Sequence, residues 1–182
     1  ALPSLPDADI VVNLQGDEPE LVPSAIDAAI TCLEEYPKAH VATLVTPLRE
    51  KDALHDPSVV KAELTPWTNE SLQQEFESCP QVWRAITFSR AAVPAAREWH
   101  DDLLKKTPPL FWQHVGVYAY RRSVLDKWTC LPESPLAELE SLEQLRLIEA
   151  GTSMIAVAIK QAANGIDTAA DYSAFVERFR NQ

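Results

Sequence analysis

The sequence predicts an α/β fold, a mostly parallel sheet with helices on both faces, on three observations. Short β-branched runs recur from Ile10 to Ile159 and alternate with stretches of helical periodicity. Prolines punctuate these segments: Pro37 stops the first helix and Pro47 closes the second strand. Finally, 182 residues, 46% of them hydrophobic, suffice for one well-buried domain and are too few for two. With no internal repeat, low-complexity tract or composition shift, residues 1–182 are expected to form a single domain.

Taken in order, Ala1 to Asp9 is a Pro-rich lead-in. Ile10-Val11-Val12-Asn13 opens a buried strand that spills into Gln15-Gly16-Asp17-Glu18-Pro19. Pro23 suits the first turn of a helix to about Tyr36, with Ile26, Ala29, Ile30 and Leu33 facing the sheet. His40–Val45 is a second strand, Arg49–Leu54 a helical turn and Ser58–Leu64 a third strand. Thr65–Gln81, broken by Pro66 and Pro80, reads as a loop or hairpin insertion with one short helix near Glu70–Phe76. Trp83–Phe88 is a strand ending in Ser89-Arg90, followed by an irregular stretch with a helical patch near Ala95–Leu104. His114–Tyr120 alternates as a strand, and Gly116 leaves room for a group close above it. Arg122–Leu131 reads as a short helix. Ser134-Pro135 caps one longer helix to about Ala150, with Leu139, Leu142, Leu145 and Ile148 as its core face and Gly151 at its stop. Met154–Ile159 is the last strand, and Gly165-Ile166-Asp167-Thr168 turns into a final helix, Asp171–Arg180.

A formal net charge of −11 argues against a nucleic acid or an anionic membrane as partner. An anionic substrate would need a local positive site or metal ions to bind against that field. No apolar run is long enough for a membrane helix and no signal leader is visible, so the cytoplasm is expected. Cys32, Cys79 and Cys130 lack the paired spacing of a zinc site and read as small core residues in a reducing compartment.

In open α/β sheets ligands gather at the carboxyl ends of strands, which is where Gln15, Asp17 and Glu18 are expected. Asp17 and Asp167, two separated loop carboxylates, could meet there and hold Mg²⁺ against a nucleoside triphosphate, since Mg²⁺ takes hard oxygen donors. The same residues would serve as plain loop and cap: Asp17 bonding its own backbone, Asp167 or Thr168 starting the last helix. Arg90, at a strand end, could clamp a carboxylate or phosphate. His114 and Tyr118 share a strand face and could flank a ligand. Glu140, Glu143, Gln144 and Arg146 read as a charged helix face, which is ordinarily only solvated. No Ser-His-Asp, Cys-His or HExxH arrangement is visible, so acid–base hydrolysis has little support.

Six fragments occur in one order: Val12-Asn13-Leu14-Gln15-Gly16-Asp17-Glu18-Pro19; Phe88-Ser89-Arg90 followed by Pro94; His114-Val115-Gly116-Val117-Tyr118-Ala119-Tyr120; Ser134-Pro135-Leu136; Leu142-Glu143-Gln144-Leu145-Arg146; and Gly165-Ile166-Asp167-Thr168. From Ile10 onward the chain resembles the 3-deoxy-manno-octulosonate (Kdo) cytidylyltransferase family. The resemblance implies a three-layer, Rossmann-like nucleotidyltransferase sheet and transfer of CMP from CTP to the 2-hydroxyl of Kdo, for lipopolysaccharide biosynthesis. It further implies Asp17 and Asp167 as catalytic Mg²⁺ ligands, Gln15, Arg90, His114, Tyr118, Glu143 and Gln144 around the sugar acid, and a homodimer.

Departures from the family pattern add expectations of their own. The family's first strand and phosphate-cradling loop do not precede Ile10, and the whole chain has four glycines. The sequence thus resembles the C-terminal part of such an enzyme, a sheet truncated on its N-terminal side, and is expected to turn over little or nothing alone. Thr65–Gln81 is longer than the family's usual connection, and Ala137-Glu138 replaces its usual Glu-His pair. Two alternatives stay open: a cytidylyltransferase for another sugar acid, and a non-catalytic domain that keeps only the sugar-acid pocket. A metal-dependent phosphatase built on Asp17 and Asp167 ranks below both.

Overall fold

The computed structural model describes residues 8–16, 18–67, 82–160, 165–166 and 168–180. Asp17, Asp167, Cys79 and nearly all of the Thr65–Gln81 insertion therefore lie outside the described residues. Among the described residues six strands make one sheet: β1 (Ile10–Asn13), β2 (Val41–Pro47), β3 (Lys61–Pro66), β4 (Val82–Ser89), β5 (Trp112–Arg121) and β6 (Met154–Ala158), in the order β1-β5-β2-β6-β4-β3. The α/β class stands, but the expected strand direction does not. Among the described pairings only β2–β6 is parallel, and β5 runs antiparallel to β1, β2 and β3 alike. The alternation rule misjudged direction because β5 enters after a long irregular segment rather than a helical crossover.

The helices are α1 (Pro23–Glu35), α2 (Lys51–His55), α3 (Arg122–Leu125), α4 (Pro135–Glu140), α5 (Gln144–Glu149) and α6 (Ala169–Arg180). On one sheet face α1 buries Ala25, Ala29, Cys32 and Leu33 against Ala42, Leu44, Val115, Val117, Ile155 and Val157. On the other, Leu142, Leu145 and Leu147 pack on Val41, Val45, Phe88, Tyr118 and Met154. Apolar residues of both parities along β2 and β6 are thus consumed, which is why these central strands read as unbroken apolar runs. β1, by contrast, is half-buried, because it lies at the sheet edge rather than inside as expected.

The expected helix from Ser134 to Ala150 is two helices. Ser134 caps the first as anticipated, its Oγ accepting from the Ala137 N–H at 2.9 Å. The chain then leaves the helix at Ser141, which is left-handed at φ 52°. Leu142 N–H donates to Ala137 O at 3.0 Å and Ser141 N–H to Glu138 O at 3.3 Å. This paired pattern is a Schellman stop. The same stop recurs at Gly151, φ 74°, with Thr152 N–H on Leu147 O and Gly151 N–H on Ile148 O, both at 2.9 Å. The break resets the helical phase, so Leu139 is 80% exposed while Leu142 and Leu145 are buried. Two further helical segments are shorter than expected. Arg122–Leu131 resolves into α3 and a 3-10 turn at Trp128–Cys130, where Cys130 is exposed, and Ala95–Leu104 into a 3-10 turn at Asp101–Lys105. No helix among the described residues is long and apolar enough to cross a membrane.

Candidate active-site cleft

A cleft of about 960 Å³ opens where the loop after β1, the entry to β3, the end of β4, the middle of β5 and the α4–α5 break converge. All six residues assigned to the sugar acid by resemblance, Gln15, Arg90, His114, Tyr118, Glu143 and Gln144, line it. They come from four separate stretches of chain, so their convergence is a product of the fold rather than of sequence proximity. Asp17 and Asp167 are not described, but their neighbours are. Gln15 and Glu18 on one side, and Gly165 and Thr168 on the other, line this same cleft.

β5 builds the first wall. Its register against β2 shifts between Thr43 and Leu44, so that Gly116 and Val117 bulge out opposite them. The bulge frees the Val117 carbonyl, which accepts from the buried Thr43 hydroxyl at 2.8 Å. Thr43 Oγ1 also lies 2.9 Å from His114 Nε2. The His114 ring contacts Phe88, at 4.8 Å, and Tyr118, at 5.4 Å, and Tyr118 stacks on Tyr120. Burial holds the His114 pKa down at about 3. Burial, reinforced by Tyr120, Glu143 and Glu18, pushes the Tyr118 phenol well above its usual range. Both groups are therefore neutral through the physiological range. Gly116 meets its expectation: a Cβ there would stand 2.8 Å from Gln15 Oε1, so the glycine lets the Gln15 amide lie across the strand. Its N–H donates to Glu18 Oε1 at 3.2 Å.

Charge builds the second wall. Lys61 is completely inaccessible, and its ammonium donates to three main-chain carbonyls, Asp56 O at 2.8 Å, Val59 O at 2.5 Å and Arg90 O at 2.6 Å. Desolvation lowers the Lys61 pKa, with the Asp56 carboxylate opposing. Glu140 completes the latch. Its carboxylate accepts from Ser89 Oγ, at 2.9 and 3.0 Å, and from Arg90 N–H at 2.5 Å. The Arg90 guanidinium in turn donates through Nε to Glu140 O at 2.7 Å and through Nη1 to Pro57 O at 2.9 Å. Glu140 is thus not the solvated residue its helix face implied. Arg146 likewise donates to the carbonyls of Leu131 and Pro132, fixing the loop before α4. Sequence reasoning missed Thr43, Lys61 and Glu140. For Lys61 a signal existed, since one cation inside Val59-Val60-Lys61-Ala62 must be paired if the strand is buried.

Comparison with known proteins gives this cleft a family. The cytidylyltransferase family model matches residues 1–159. The 3-deoxy-manno-octulosonate cytidylyltransferase of Rhodopirellula baltica is 41% identical over 177 residues, covering 97% of this chain and 65% of that protein. The enzyme of the same name from Nitrosococcus oceani is 40% identical over 173 residues, covering 91% and 60%. A solved CMP:2-keto-3-deoxy-manno-octonic acid synthetase complexed with CTP matches with a TM-score of 0.77 at 32% identity, over 96% of this chain and 63% of that one. The chain therefore spans between 60% and 65% of these curated relatives. With an α/β sheet shared with that synthetase and a family match over most of its length, the chain belongs to the cytidylyltransferase family.

Proposed function

We propose that this chain carries the sugar-acid side of a site that transfers CMP from CTP to the 2-hydroxyl of Kdo. The hydroxyl oxygen forms a bond to the α-phosphorus, the α–β anhydride bond breaks, pyrophosphate leaves, and the hydroxyl proton passes to solvent. One observation supports this above all: six residues matched by resemblance, scattered from Gln15 to Gln144, line a single cleft in a member of the cytidylyltransferase family.

The residues divide by chemistry. Arg90, whose Nη1 and Nε are held by the frame, presents the cation a carboxylate needs. Neutral His114 and Tyr118, the Gln15 and Gln144 amides and the Glu143 carboxylate suit hydroxyls. Since His114 stays uncharged, it orients the sugar rather than carrying a proton. Asp17 and Asp167 supply hard carboxylate oxygens, and Glu18 and Thr168, one next to each, line the cleft, so the donor set suits Mg²⁺. Bound by them, Mg²⁺ would offset triphosphate charge, which a chain of net charge −11 otherwise repels. Positioning and charge neutralisation suffice here without a protein nucleophile. A cytoplasmic homodimer is the setting in keeping with this role.

The test follows pyrophosphate release by the complete protein with CTP, Mg²⁺ and Kdo, beside Asp17→Ala. Kdo-dependent release that disappears in Asp17→Ala is expected. Release with a different sugar acid alone would keep the chemistry and replace the substrate. Silence with every sugar acid would leave a binding domain.

A further inference from the structure

We infer that Thr43 locks His114 in the tautomer protonated at Nε2, so that Nδ1 offers the cleft a hydrogen-bond acceptor for a ligand hydroxyl. Thr43 has one proton to give. Its oxygen lies 2.8 Å from Val117 O and 3.5 Å from Val115 O, and a carbonyl can only accept. The hydroxyl therefore donates to Val117 O and must accept from His114 Nε2 at 2.9 Å. The reverse assignment would set the lone pairs of Thr43 Oγ1 and Val117 O against each other at 2.8 Å inside a sealed sheet. Phe88 and Tyr118, in ring contact with His114, help to hold it in that plane.

Nδ1 then keeps its lone pair. Among the described residues it makes no hydrogen bond, the ring's one bond being through Nε2. It belongs to a residue that lines the cleft. Thr43 is a positioning residue in this scheme: it touches no ligand and acts through His114. Substrate selection follows from the arrangement. A hydroxyl can donate to Nδ1, whereas an ether or carbonyl oxygen at the same place would face it lone pair to lone pair. The acceptor role rests on the sugar-acid reading of the cleft; the tautomer does not.

The test is long-range ¹⁵N–¹H correlation of the histidine rings in the complete protein, as wild type, Thr43→Val and Thr43→Ser. Wild type is expected to show His114 with Nε2 protonated and Nδ1 bare. Thr43→Ser should retain that pattern and Thr43→Val should lose it. An Nδ1-protonated ring in wild type would overturn the tautomer assignment, and an unchanged pattern in Thr43→Val would overturn Thr43 as its lock. Kdo is then added. If the Gln15 and Gly116 amide signals move and Nδ1 shifts with them, the acceptor role holds; if they move and Nδ1 stays, it is overturned. Should Kdo move no cleft signal, the sugar-acid reading falls and the acceptor role with it, while the tautomer stands on the first spectra.

Discussion

The two walls of the cleft are fixed by opposite means. On the β5 wall, Thr43, His114 and Tyr118 are neutral groups held by one hydroxyl and by ring contacts on a desolvated sheet face. Beside them Lys61, Arg90 and Glu140 are charged, Arg90 lining the cleft and the other two holding it from behind, and most of their hydrogen bonds end on main-chain atoms. The neutral wall is therefore sensitive to anything that puts charge on it. The charged wall is intolerant of losing a member, because each member satisfies main-chain polar groups. A ligand with a carboxylate at one end and hydroxyls at the other needs both kinds of wall. That division is the physical content of the proposed specificity.

The largest effect expected is from Lys61→Met, which keeps the bulk and removes the ammonium. Three half-buried carbonyls would lose their donor, costing roughly 1–3 kcal/mol in all because water can reach part of what the ammonium leaves. Urea unfolding measures it, and a loss below about 1 kcal/mol would mean the charged wall is held by something else. The neutral wall should respond to acid instead. His114 has its folded pKa near 3, below the ordinary 6.5, so between these values the unfolded chain binds the extra proton. Stability from this group is fully present above about pH 6.5 and is lost as pH falls toward 3, with a slope of up to about 1.4 kcal/mol per pH unit. Replacing His114 by Gln should flatten that part of the pH–stability curve. An unchanged slope would show that another group titrates there.

Gly116→Ala probes the neutral wall more gently. The new methyl would displace the movable Gln15 amide rather than backbone. Stability should change by less than about 1 kcal/mol while the KM for the sugar acid rises several-fold. Equal losses in folding and in KM would place Gln15 in the fold's support rather than at the ligand.

How much of this could be read from the sequence is clearest in the two Schellman stops. Gly151 announces its stop, because glycine is the residue that takes a left-handed rotation without cost. Ser141 makes the same turn in disguise, at a cost of about 1 kcal/mol or more that only tertiary packing justifies. Missing it merged α4 with α5, turned Leu139 inward and left Glu140 in solvent on paper, so the latch on Arg90 could not be seen. The neutral wall was more legible. His114 and Tyr118 share a face by the two-residue period of a strand, and Gly116 signals a close approach whatever lies above it. Their partner Thr43 was hidden, because its bond to His114 depends on a register shift between β2 and β5 that no local pattern encodes. Strand direction escaped for a similar reason, being set by which strands pair rather than by what each contains.

The central claim is that the charged wall reads the carboxylate of a sugar acid, and the most direct measurement is a pair of KM values. In the complete protein, Arg90→Ala should raise the KM for Kdo about 10- to 100-fold, the worth of a charge-assisted hydrogen bond, and leave the KM for CTP within about twofold. A KM for CTP that rises alongside, or a KM for Kdo that does not move, would contradict it.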